Sequence, residues 1–92
     1  MMKSKYVAYL ISQGYKEITP SGKPSTTYSY TKRIDNVCDW EHIDWETLKE
    51  IIDKIVPQYE LGGSKEEYGS KSHRTVINAL YRFQECVHKG II

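Results

Sequence analysis

The sequence predicts an all-α domain of four helices. Three observations carry this. Apolar residues recur at helical spacing in four separate stretches, breakers or capping residues separate those stretches, and no segment alternates with the period of two that a half-buried strand needs. The chain has 92 residues, which suits one domain with one thin core.

The first helix is expected from Ser4 to about Gln13, with Tyr6, Val7, Leu10 and Ile11 as its apolar stripe and Gly14 as its left-handed stop. Residues 15–24 read as a loop, because Pro20 and Pro24 bar a helix and Ser21-Gly22 signals a turn. A second helix starts at Ser25 or Thr26, either of which can cap it. It carries Tyr30, Ile34, Val37 and Cys38 on one face and ends between Trp40 and His42.

The third helix has the best-marked start. Asp44 is a good N-cap, Glu46 suits the positive end of the helix dipole, and Leu48, Ile51, Ile52 and Ile55 give the buried stripe. Pro57 is expected to end or kink it. Gly62-Gly63 opens a loop, with an extra turn over Ser64 to Tyr68. The fourth helix starts at Ser70 or Ser72 as cap. Val76, Leu80, Phe83 and Val87 follow, with Ala79 and Cys86 beside them, and Gly90 stops it before the apolar Ile91-Ile92 tail.

Composition narrows the function classes. Hydrophobic residues make up 39% and charged residues 27%, which fits a folded globule and not a disordered chain. Cys38 and Cys86 form no CxxC or dense framework, and no signal peptide or run of 18 apolar residues is present. The expectation is a cytoplasmic protein with reduced thiols and no membrane association. Net charge is only +1, but its distribution is uneven: +5 over residues 1–34, −7 over residues 35–68 and +3 over residues 69–92. If the two basic ends meet in the fold, they form a basic face opposite an acidic one.

Catalytic signatures are absent from the sequence. It holds no GxSxG, GxGxxG, P-loop or HExxH, and its serines and threonines fall where helix capping explains them. The spacings of Cys38 with His42 and of Cys86 with His88 match no metal signature, so no metal or cofactor is expected; the cysteines read as small core residues and both histidines as surface residues. The basic residues are more informative. Lys32 and Arg33 lie mid-way along helix two. Lys71, His73 and Arg74 lie at the start of helix four, where cations run against the helix dipole; there they either receive a phosphate or, for Arg74, pair with Glu66 or Glu67.

Two stretches resemble a known family. Ser25-Thr26 followed by Tyr30, Ile34 and Val37 is similar to the T-x3-Y-x3-L-x2-F pattern of the N-terminal core-binding domain of tyrosine recombinases and phage integrases. His73-Arg74 through Ala79-Leu80 to Phe83, then Lys89-Gly90-Ile91-Ile92, resembles that domain's last helix. Tyr9-Leu10 to Gly14-Tyr15 looks like its first. The resemblance implies a SAM-like orthogonal bundle of four helices that clamps duplex DNA, with Lys32, Arg33, Arg74 and Arg82 as the matching positive positions. The family's catalytic domain, with its Arg, His and Tyr constellation, is not in this chain, so the reading is a non-catalytic gripping module: a fragment of a longer recombinase, or a free-standing relative.

The acidic middle departs from a DNA clamp and supports an alternative. A small phage or mobile-element protein could bind and inhibit a host protein or defence complex, its acids mimicking nucleic-acid phosphates. Trp40, Asp44, Trp45, Glu46 and Glu50 would then form the interface, with the tryptophans as anchors. For Trp40, core packing is the competing reading.

Overall fold

The computed structural model describes residues 2–15 and 26–92, together with all side chains in that range except those of Thr26, Ser72 and His73. The loop expected over residues 15–24 therefore lies, from residue 16 on, outside the described residues, as does the cap expected at Ser25. Among the described residues there are five helices: α1 (Met2–Ser12), α2 (Thr26–Glu41), α3 (Trp45–Tyr59), the single turn α4 (Glu66–Gly69) and α5 (Lys71–His88). No strand occurs among the described residues. α5 is the spine, packed most extensively against α2 and then α3, with α1 crossing both α2 and α5.

The core follows the helical stripes. Leu48, Ile52, Ile55 and Tyr59 are buried from α3; Val76, Ile77, Ala79, Leu80, Phe83 and Cys86 from α5; and Ile34, Val37 and Cys38 from α2. In α1 the stripe turns slightly from the expected one. Tyr6, Tyr9 and Leu10 are buried, whereas Ile11 is 44% exposed. Tyr9 takes the inner position because its hydroxyl, donating to Glu85 Oε1 at 2.6 Å, keeps a polar partner at the edge of the core. Tyr6 is fully buried, and its hydroxyl donates to the Ala79 carbonyl at 3.0 Å, tying α1 to α5.

Three helices end in the same way. At α1, Tyr15 N–H donates to Leu10 C=O and Gly14 N–H to Ile11 C=O; at α5, Ile91 N–H donates to Cys86 C=O and Gly90 N–H to Val87 C=O. Both are Schellman closures with a left-handed glycine, at φ +96° and +74°. α2 closes identically, with Ile43 N–H to Cys38 C=O and His42 N–H to Asp39 C=O, but the left-handed position is His42, at φ +57°.

α1 begins at Met2, two residues before the expected Ser4, and two further boundaries differ. α3 does not end at Pro57 but runs on to Tyr59. Pro57 and Asp53, whose carbonyl loses its helical N–H partner to the proline ring, both face solvent, so water can serve that carbonyl while Tyr59 is carried into the core. Ser70 is not a side-chain cap either. Its backbone is helical and its N–H donates to Glu66 C=O, so α4 runs almost directly into α5. Gly69 permits the close approach of this junction to α3: a Cβ there would lie 1.9 Å from the Tyr59 carbonyl oxygen.

Candidate functional site

Both cysteines lie in the core. Burial pushes the Cys38 thiol up to about 11 and the Cys86 thiol up to about 12, so neither supplies a thiolate near neutrality. Among the described residues no group of three or more His, Cys, Asp or Glu side chains is placed to hold a metal ion. His42 and His88 are exposed, and His88 Nε2 lies 2.7 Å from Asp53 Oδ1.

The basic residues are sorted by the packing of α2 on α5. These helices run antiparallel. Trp40, near the end of α2, meets Lys71 at the start of α5, and Tyr30, near the start of α2, lies in the electrostatic field of Arg82 towards the end of α5. α1 also packs on α5, so the two basic ends of the chain do meet. Arg33 shares a side of α2 with Trp40, seven residues on. It is half-buried, and its Nε is buried without a hydrogen-bond partner among the described residues. Arg82 is half-buried as well; its Nη2 pairs with Glu85 at 2.6 Å while its Nε is buried and has no hydrogen-bond partner among the described residues.

Lys71 and Arg74 are exposed. Lys71 Nζ lies 5.2 Å from the Tyr68 ring centroid and 5.5 Å from that of Trp40. Arg74 has a left-handed backbone, φ +68°, and lines an open groove with Pro57, Glu60, Leu61 and Tyr81. The alternative pairing of Arg74 with Glu66 or Glu67 is not formed. Lys32 stands apart. Neighbouring positions on a helix point about 100° from each other, and Lys32 lies with Lys3, Tyr28, Thr31 and Asp35 in a depression on the α1 side. His73 lies outside the described side chains.

No protein-family model, no curated protein and no solved structure matches this chain.

The acidic and aromatic candidates divide too. Asp44 caps α3, accepting from Thr47 N–H at 2.8 Å, and that bond holds its carboxyl below the usual range. Trp45 is turned inward. Its indole N–H donates to Asp35 Oδ1 at 2.8 Å, and its ring meets Tyr6 and Phe83 edge-on at 5.8 and 5.7 Å. Glu46 and Glu50 are exposed on the outer face of α3. Trp40 is half-buried, stacked on Tyr59 at 6.4 Å and tilted against Tyr68 at 4.9 Å, so it belongs to both the core edge and the surface.

This aromatic group, with Glu41 and Lys65, is the feature that sequence reasoning missed. Lys65 Nζ pairs with Glu41, which also accepts from the Tyr59 hydroxyl at 2.8 Å. Burial works to raise the Glu41 carboxyl, but the hydrogen bonds from Lys65 and Tyr59 outweigh it and hold its pKa below the usual carboxylate range. One signal was available: Tyr59 continues the Leu48, Ile52, Ile55 stripe by a further step of four.

Proposed function

We propose that this chain is a non-catalytic DNA-binding module of the SAM-like, core-binding kind, which grips duplex DNA through phosphate contacts at the start of α5 and along the α2/α5 seam. The observation that carries the reading is the start of α5. Lys71 and Arg74 stand there exposed, against the helix dipole, and neither forms an ion pair among the described residues. Cations in that position raise the free energy of the unbound domain, and a phosphate at the same helix end reverses the sign of the interaction.

Arg33 and Arg82 support the reading from the same seam. Lys71 and Arg82 are eleven residues apart on α5, about 16 Å along the axis at 1.5 Å per residue, a reach that spans several phosphates of one strand. Arg82 is the weaker contributor, since Glu85 already neutralises it. Phosphate contacts position a duplex without reading its sequence, so the affinity is insensitive to base sequence.

The test is binding of a mixed-sequence duplex, followed by anisotropy, for the wild type and for Lys71→Ala, Arg74→Ala and Lys32→Ala. Lys71→Ala and Arg74→Ala each weaken binding and lower the slope of log K against log salt by about 1. Lys32→Ala, on the α1 side, leaves both nearly unchanged. Equal losses from all three variants, or no binding at low salt, count against the proposal.

A further inference from the structure

Two lysines stand beside the same aromatic group and are held differently. Lys65 Nζ lies 5.8 Å from the Tyr59 ring centroid and also pairs with Glu41, so its charge is cancelled. Lys71 Nζ lies 5.5 Å from the Trp40 centroid and 5.2 Å from that of Tyr68, and it forms no ion pair among the described residues. Glu41 is already committed, since it accepts from both Lys65 and Tyr59.

The rings that hold Lys71 are themselves fixed by the core. Tyr59 is buried, and its hydroxyl donates to Glu41 at 2.8 Å. Trp40 stacks on Tyr59 at 6.4 Å, and Tyr68 leans on Trp40 at 4.9 Å. The junction that carries Tyr68 and Lys71 is pressed onto α3 at Gly69, where a Cβ would meet the Tyr59 carbonyl. The three rings wall a cleft of about 290 Å³. Lys71 does not line that cleft, so its ammonium meets Trp40 and Tyr68 from outside it.

A carboxylate and a ring face hold an ammonium with opposite consequences. A carboxylate cancels the charge. A ring attracts it through a quadrupole that carries no net charge, so the full positive charge remains for an anion. A lysine also gives up rotamer freedom on binding an anion, and affinity scales with the fraction of side chains already in the binding position.

We propose that Trp40 and Tyr68 are positioning residues for the phosphate contact: they hold the Lys71 ammonium in place at the start of α5 without neutralising it. This role presupposes the duplex contact of Lys71 put forward above. It explains why the one lysine of this group without a carboxylate partner is the one against two rings.

The test is duplex binding, followed by anisotropy, for Tyr68→Leu and Tyr68→Phe, and for Tyr68→Leu combined with Lys71→Ala. Tyr68 is 39% exposed, so these changes spare the core. An unshifted Trp45 indole N–H signal, from the group bonded to Asp35, verifies this by NMR. Tyr68→Leu is expected to weaken binding about two- to fivefold, the factor by which one exposed cation–π contact favours the held position. The slope of log K against log salt stays as in the wild type, because no charge is removed. Tyr68→Phe, which keeps the ring, binds as the wild type does. In the Lys71→Ala background, Tyr68→Leu has no further effect.

Three results overturn the proposal while leaving the duplex contact of Lys71 standing. One is wild-type affinity in Tyr68→Leu. Another is an equal loss in Tyr68→Phe, which would assign the effect to the hydroxyl. The third is an undiminished loss from Tyr68→Leu in the Lys71→Ala background, which would mean that the ring acts through something other than Lys71. If Lys71→Ala alone leaves duplex binding unchanged, the DNA-binding reading falls and this role falls with it.

Discussion

His42→Gly should stabilise the domain. His42 occupies the left-handed position of the α2 closure, φ +57°, where α1 and α5 place Gly14 and Gly90. Its backbone N–H and that of Ile43 make the same two closing hydrogen bonds as their counterparts, so the closure itself is complete. What differs is the side chain. A left-handed conformation costs an L-residue about 1–2 kcal/mol, and glycine removes that cost but adds roughly 0.5–1 kcal/mol of unfolded-state entropy. The net gain is about 0.5–1 kcal/mol. For a domain of this size, that raises Tm by about 3–6 °C.

The assay is urea unfolding. The midpoint should rise with an unchanged m-value. His42→Ala is the control, because alanine keeps the Cβ and its steric cost; it should stay within about 0.5 kcal/mol of the wild type. A His42→Gly variant no more stable than the wild type, or a His42→Ala variant that gains as much, would refute the reasoning.

Two further predictions follow from side-chain partners. Asp35 receives both the Trp45 indole N–H, at 2.8 Å, and Lys3 Nζ, at 3.0 Å, so it joins α1, α2 and α3. Asp35→Ala should cost about 2 kcal/mol, mostly from the Trp45 bond, since the Lys3 pair is exposed. A double-mutant cycle with Trp45→Phe should show coupling of about 1 kcal/mol, and additive losses would place Trp45 outside this network. Glu41 has a folded pKa below its unfolded value, so the stability it contributes is present above the unfolded carboxylate range and is lost as pH falls through the folded pKa. The wild type should exceed Glu41→Gln by roughly 2 kcal/mol at pH 7 and by much less at pH 3, as measured by urea unfolding; an equal gap at both pH values would contradict the assignment.

The helical stripes of α3 and α5 were legible because burial enforces their spacing. Leu48, Ile52 and Ile55, and Val76, Leu80 and Phe83, all fall in the core as the sequence indicates. Amphipathic residues were harder to place. Tyr9 displaces Ile11 from the α1 stripe because a hydrogen bond to Glu85 makes a tyrosine suitable for the inner edge. Ile77 is buried beside the α5 stripe because α3 and α2 both pack on that helix, and a helix with two neighbours buries a wider arc than one stripe.

The candidate sites were only partly legible. Sequence adjacency made Lys32 and Arg33 a pair, yet helix geometry sends them to different sides. Trp45 resembled an exposed anchor, but it follows the cap residue Asp44 and its indole is turned to Asp35. The cleft at Trp40, Tyr59 and Tyr68 draws on three separate helices, and no local pattern brings such residues together before the chain folds.

The salt dependence of duplex binding tests the central claim most directly. With three to four of Arg33, Lys71, Arg74 and Arg82 on phosphates, log K should fall against log salt with a slope of about −2.7 to −3.6, a loss of roughly 40- to 150-fold between 50 and 200 mM. A flat salt dependence, or no duplex binding at 50 mM salt, would contradict the account.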